Sequence, residues 1–397
     1  MSRGILVTSK LIFPSLSYVG EGALSNLSSE IEKLGVKKIL VVTDQTLVDI
    51  GLCAKVLKSI EEKYHIDIYT DIIPEPPLED AERLVKFTRE GNFELIIGMG
   101  GGSAIDLAKL AAVISANEGK VSDYLNLTGT KQIKKKGLPK MMIPTTAGTG
   151  SEVTDISVLS LDGTKDVITH PYLLSDVAIV DPTVTLSVPK RVTAATGIDA
   201  LTHAIEAYIS VNANLVTDGI SMKAIQLIGN SLKTAYLNGD NMKAREEMIT
   251  ASYLAGMAFY NAGVGGVHAL AYPLGNKFKL PHGESNAVLL PYVVKHIKKS
   301  CEEKLANVVT NLDRSHKKQS NNLEDLSISC VHTLYHLVQS LDLPTSLQEY
   351  GIKEEDLSGL TKEALKQTRL LARSPLKLEE NDIYKIYLSA FNGEISL

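Results

Sequence analysis

Tryptophan is absent from the 397-residue chain, cysteine occurs three times, and aromatic residues make up 5% of it. Cys53, Cys301 and Cys330 are odd in number and far apart, which excludes a disulfide framework and a knot of metal-bound thiolates. No run of about 18 apolar residues occurs, so no transmembrane helix is expected. Met1-Ser2-Arg3-Gly4 lacks the apolar core of a signal peptide. These absences predict a soluble protein of a reducing compartment, the cytoplasm. Positive charge is also in short supply: 41 Lys and Arg against 46 Asp and Glu leave a net charge of −5. That balance gives no basic footprint for nucleic acid. The one dense basic run, Lys134-Lys135-Lys136, stands beside Gln132, Gly137 and Pro139 and reads as a solvated loop.

What is present is an ordinary globular composition, 44% hydrophobic and 22% charged, in a chain longer than one core usually fills. The first part alternates short β-branched runs with helical patterns. Strands are expected at 38–43, 66–69, 95–98 and 141–144, and helices at 53–63, 78–91 and 104–117; after the run Val177 to Pro182 the pattern changes. Strands separated by helices form parallel βαβ units. From Lys190 the apolar spacing is helical almost throughout, as at 216–232, 244–258, 302–312 and 323–341. The expected architecture is an α/β, Rossmann-like dinucleotide-binding domain over residues 1–185 and an all-α domain over 186–397. A ligand site is expected in the cleft between them.

Gly100-Gly101-Gly102-Ser103 follows a buried-type strand and opens a helix that carries Asp106 and Lys109. Glycines allow close approach of a ligand to the backbone, and the helix N-terminus offers free amides and a positive dipole end to a pyrophosphate. A tight strand-to-helix turn is the plain alternative. A second loop of small residues, Pro144 to Glu152, brings Thr145, Thr146, Thr149 and Ser151 as hydrogen-bonding groups for a cofactor. Asp44 closes the first strand; there a carboxylate accepts from a ribose 2′-hydroxyl and repels a 2′-phosphate, favouring NAD over NADP. Asp44 also suits a helix N-cap.

Asp199 and His203 stand four residues apart in a helical pattern, which puts a carboxylate and an imidazole on one face. Of nine histidines, His268 and His282 alone are framed by glycine and proline, in Gly263-Val264-Gly265-Gly266-Val267-His268 and Leu280-Pro281-His282-Gly283. Both read as residues of loops. Three imidazoles and one carboxylate suit Fe²⁺ or Zn²⁺. His332 and His336 share the same spacing without such partners and read as an ordinary helix face.

These motifs, taken in order, resemble the iron-containing (group III) alcohol dehydrogenase family over nearly the whole chain. The resemblance implies a divalent metal held by Asp199, His203, His268 and His282, with NAD bound along Gly100–Ser103, Asp106 and the Thr145–Ser151 loop. It places Lys165 against the cofactor and implies a homodimer or higher assembly paired around Leu11 to Val19. Many members carry a further histidine where this chain has Tyr272, and often Asn where it has Glu75. A phenol with an ordinary pKa of about 10 is a poor base near neutrality, so Tyr272 is expected beside substrate as a hydrogen-bonding group. The expected reaction is reversible hydride transfer between a small primary alcohol or diol and the nicotinamide. A hydroxyacid–oxoacid transhydrogenase, a lyase of the dehydroquinate synthase type and a non-catalytic sensor are the alternatives.

Overall fold

The computed structural model describes residues 8–161, 164–313, 315 and 322–395. Met1 to Gly4, Gly163 and His316 lie outside these. The amino-terminal part is built on a six-stranded sheet of β1 (Ser17–Val19), β2 (Lys38–Val42), β3 (His65–Tyr69), β4 (Leu95–Gly100), β5 (Lys140–Pro144) and β8 (Val177–Val180), in the order β1-β8-β5-β4-β2-β3. Every pairing is parallel. β4 and β5 are buried along their whole length, and all but the first residue of β2 is buried. That is why they read as unbroken apolar runs: helices cover both faces of a parallel sheet. From β2 the strands run outward to β3 on one side and to β4, β5, β8 and β1 on the other. The order therefore reverses between β2 and β4, and a crevice opens at their carboxyl ends.

The carboxy-terminal part is helical, with long helices at Lys190–Ile209, Leu215–Leu237, Met242–Ala262, Gly266–Phe278, His282–Ile297, Glu302–Leu312, Leu323–Ser340 and Glu380–Asn392. One large apolar cluster runs through them, and the sheet has separate clusters on its two faces. A small cluster of Ala178, Val180 and Ile249 joins the two parts. The chain leaves the sheet at Val180 and enters the first long helix at Lys190.

Four readings need correction. The helix expected over 53–63 spans only Leu52–Leu57; beyond it the backbone tightens, Ile60 bonding to Leu57 and Lys63 to Ile60 three residues back. The helix expected over 104–117 runs instead from Gly102 to Ile114, since the glycines belong to its first turn. An antiparallel hairpin, β6 (Ile156–Leu161) with β7 (Thr164–Thr169), lies outside the main sheet and was not expected. His268 and His282 are not loop residues. Gly265 and Pro281 are the N-caps of the helices Gly266–Phe278 and His282–Ile297, so the framing residues mark helix starts.

Among the described residues the three cysteines are free and buried, and no helix is long and apolar enough to cross a membrane. Lys134 to Lys136 are exposed, as expected.

Candidate active site

A cavity of about 510 Å³ lies where the carboxyl ends of the strands meet the helical part. Its sheet side starts at the turn after β4. Gly100 has φ +153°, and a Cβ there would stand 2.8 Å from Ala104 Cβ; a Cβ on Gly102 would stand 2.8 Å from Thr149 Cγ2. Glycine is therefore required for the strand to enter the helix so tightly. No side chain caps that helix, so its first amides are open to an anion. Gly102, Ser103, Thr149 and Ser151 line the cavity, whereas Asp44, Gly100, Gly101, Thr145 and Thr146 are not among its lining residues. The Thr145 amide bonds to the Gly100 carbonyl at 2.9 Å, which holds the two loops side by side.

Asp44 is the N-cap of the short helix Gln45–Asp49, its Oδ1 accepting from Leu47 N–H at 3.1 Å. Its Oδ2 faces the Gly100 turn, 3.7 Å from where a Cβ would be. Asp106 lines the cavity, but its carboxylate is engaged: the Ser151 hydroxyl donates to it, Val158 N–H donates at 3.0 Å, and Lys109 pairs with it at 2.9 Å. Lys109 is fully buried and also donates to the carbonyls of Ser151 and Ile156 at 2.9 and 2.5 Å. Together they lock the second loop onto the glycine-rich helix. On the far wall Lys165 pairs with Glu75 at 2.9 Å, and its ammonium lies 5.5 Å from the centre of the Tyr272 ring.

At the helical side the four expected donors converge. One ligand atom from each of Asp199, His203, His268 and His282 lies within 4.8 Å of the others. Asp199 Oδ1 is 3.6 Å from His282 Nε2 and 3.9 Å from His268 Nε2, and the Nε2 atoms of His203 and His268 are 3.0 Å apart. Hydrogen bonds outside the cluster fix what these nitrogens carry. Glu206 Oε2 lies 2.5 Å from His268 Nδ1, so that nitrogen holds the proton and donates; the Gly148 carbonyl takes the Nδ1 proton of His203 at 3.3 Å. Two Nε2 lone pairs are then left facing each other, an arrangement that repels unless a cation lies between them. Asn286 donates to Asp199 Oδ1 at 2.7 Å, while its own Oδ1 is buried without a partner. The residues present fit a divalent ion.

The electrostatics agree. Burial holds His203 down to about 4 and His282 down to about 3, outweighing the pull of Asp199, so both imidazoles are neutral at physiological pH. Burial would raise the Asp199 carboxyl, yet His203, His282, His268 and the Asn286 hydrogen bond leave it below its ordinary value. Phe259 stacks on His203 with ring centres 4.4 Å apart. Tyr272 follows His268 by one helical turn and packs near His282, ring centres 6.0 Å apart. Burial, only partly offset by the charge of Arg369, pushes its phenol up, so it remains protonated.

Glu206 and Asn286 escaped the sequence reading, although the signal was there. Glu206 lies three residues after His203, and Asn286 four after His282, each on its ligand's helical face. His332 and His336 are not brought to the cluster; His336 is exposed.

The family model described as "Iron-containing alcohol dehydrogenase" matches residues 14–182, and that described as "Fe-containing alcohol dehydrogenase family, C-terminal" matches residues 193–391. The chain is 57% identical over 387 residues to long-chain-alcohol dehydrogenase 1 of Geobacillus thermodenitrificans, covering 97% of this chain and 98% of the relative. It is 36% identical to the 1,3-propanediol dehydrogenase of Citrobacter freundii, covering 96% and 98%. The crystal structure of a 1,3-propanediol oxidoreductase superposes with a TM-score of 0.92 at 34% identity, covering 97% of this chain and all of that one. The chain belongs to the iron-containing alcohol dehydrogenase family and is an oxidoreductase acting on alcohols.

Proposed function

We propose that the enzyme transfers a hydride reversibly between the carbinol carbon of a primary alcohol or diol and the nicotinamide of NAD, with Asp199, His203, His268 and His282 holding Fe²⁺ or Zn²⁺. The observation that carries this is the convergence of four donors, three of them lining the same cavity as an uncapped, glycine-lined helix N-terminus. When bound, the divalent ion supplies Lewis acidity toward the substrate oxygen.

The chain's own residues do the rest. Gly102 and Ser103 receive the pyrophosphate on the helix amides, and Thr149 and Ser151 hold the nicotinamide side of the cofactor. Asp44, at the end of β2, accepts from the adenosine ribose and disfavours a 2′-phosphate. Lys165, set by Glu75, supplies positive charge at the cofactor end of the cavity. Tyr272 donates to the substrate oxygen and, with Phe259, excludes water from the reacting atoms. The two units meet at residue 185. Exposed Phe13, Leu16 and Val19, beside the edge strand β1, support pairing of two chains through this segment, in a cytoplasmic homodimer.

Chelation tests the reading. Metal-stripped protein should form no NADH from short alcohols and diols, and protein reloaded with Fe²⁺ or Zn²⁺ should recover. Equal rates in the stripped and reloaded protein would overturn it. Net NADH accumulation separates this reaction from the lyase and from a transhydrogenase whose cofactor does not exchange.

A further inference from the structure

Two arginines of the helical part line the cavity. Arg369 and Arg373 come from the short segment around the helix Thr368–Leu371, and both line the cavity. Tyr272 lines the cavity as well: its ring packs near His282, and its phenol feels the Arg369 charge. The Arg373 side chain lies across the backbone at Gly263, where a Cβ would come within 2.3 Å of its Cδ and Nη1; Gly263 has φ +87°. Its backbone carbonyl is pinned by Val211 N–H at 3.1 Å. Gly263, one of the glycines that frame His268 in the sequence, thus makes room for a guanidinium.

Neither guanidinium has an ion-pair or hydrogen-bond partner among the described residues. Two of the three acids lining the cavity are engaged elsewhere, Asp106 with Lys109 and Glu75 with Lys165; the third is Asp155. Both guanidiniums line the one cavity, and burial together with the like charge of Arg369 holds the Arg373 guanidinium below its ordinary value. A guanidinium offers five donors in a planar fork suited to carboxylate, sulfonate or phosphate.

We propose that Arg369 and Arg373 form an anion-binding subsite, so that the enzyme accepts alcohols and aldehydes bearing an acidic group at the end remote from the reacting carbon. The proposal rests on the alcohol dehydrogenase reading of the site. The reaction is unchanged; the anion contributes binding and orientation, with the carbinol at the metal-ligand end and the acid at the arginines.

The test compares kcat/KM for 6-hydroxyhexanoate with that for 1-hexanol, using the NAD-dependent, metal-loaded enzyme. A hydroxyalkyl sulfonate and a hydroxyalkyl phosphate are run beside them to identify the preferred head group. The wild type should favour an anionic substrate by about tenfold, the scale of a charge-assisted pair at a partly exposed site. Arg369→Leu and Arg373→Leu should each reduce that ratio, Arg373→Lys should retain most of it, and Arg369→Glu should turn the preference toward 6-amino-1-hexanol. These shifts in ratio would not follow from a purely structural role. NADH from 1-hexanol with no anion preference, and no change of ratio in the variants, would overturn the subsite alone. No NADH from any of the alcohols would overturn the dehydrogenase reading, and the subsite with it.

Discussion

Replacing Glu206 by Gln should weaken metal binding while leaving the fold intact. The Glu206 carboxylate, almost fully buried, accepts from Val267 N–H at 2.6 Å and from His268 Nδ1–H at 2.5 Å. A glutamine of the same shape has one acceptor oxygen and one NH₂. If the oxygen stays with Val267, the NH₂ faces Nδ1 of His268, which can accept only after its proton moves to Nε2. That proton then occupies the lone pair aimed at the other ligands. If the amide turns the other way, Val267 N–H is left unsatisfied in the first turn of its helix. Either arrangement costs about 1–3 kcal/mol, and loss of such a partner typically lowers metal affinity about 10–100-fold. The assay is competition of Zn²⁺ between the protein and a chromophoric chelator, with circular dichroism of the metal-free variant to confirm folding. A folded Glu206→Gln protein that binds Zn²⁺ within twofold of wild type would refute the claim that Glu206 sets the tautomer of His268.

Replacing His268 by Ala should remove metal and activity together, while His336→Ala should leave both near wild type; metal analysis and NADH formation on the same samples decide, and equal losses would refute the ligand assignment. Glu152, buried and pushed up to about 7 by burial against an ordinary 4.5, should make stability fall with rising pH. The unfolded chain releases this proton first, so the penalty grows between those values and is complete above the upper one, at about 3 kcal/mol. Glu152→Gln should therefore match wild type at acid pH and exceed it above neutrality in urea titrations; an equal difference at both ends would contradict the reasoning. A Cβ on Gly256 would meet Gly150 Cα at 2.9 Å, so Gly256→Ala should destabilise by about 1–3 kcal/mol, read as a lower urea midpoint at an unchanged slope.

Most of the parallel sheet was legible because its strands are buried on both faces and bounded by turn residues, so β2, β4, β5 and β8 stand out as short apolar runs. The hairpin β6–β7 was not, although the Asp162-Gly163 pair between two β-branched runs is a hairpin signal; Ser157, Ser160, Lys165 and Asp166 break its strands, which lack an unbroken apolar run. The ligand set was legible as residue types, since Asp199 and His203 have helical spacing. Where His268 and His282 sit was not. Glycine and proline mark helix starts as well as loops, and only tertiary packing shows that Gly265 and Pro281 are caps. Arg369 and Arg373 carried no local pattern at all, because what sets them apart is the absence of an acidic neighbour, a property of the folded chain.

The loop after β5 ties the two halves of the site together more closely than a two-domain division suggests. Thr149 packs on Gly102 and Ser151 holds Asp106, which fixes the loop to the cofactor helix. One residue before Thr149, the Gly148 carbonyl takes the His203 proton; one residue after it, Gly150, with φ +59°, meets the backbone of Gly256 in the helix Met242–Ala262. The same few residues thus shape the surface on which we propose the dinucleotide to bind and determine which nitrogen of His203 faces the other three donors. Because backbone contacts, rather than long side chains, make both connections, a shift of the loop on cofactor binding is transmitted to His203 with little slack. Cofactor and metal affinity should therefore be coupled, and by linkage each must change the other by the same factor.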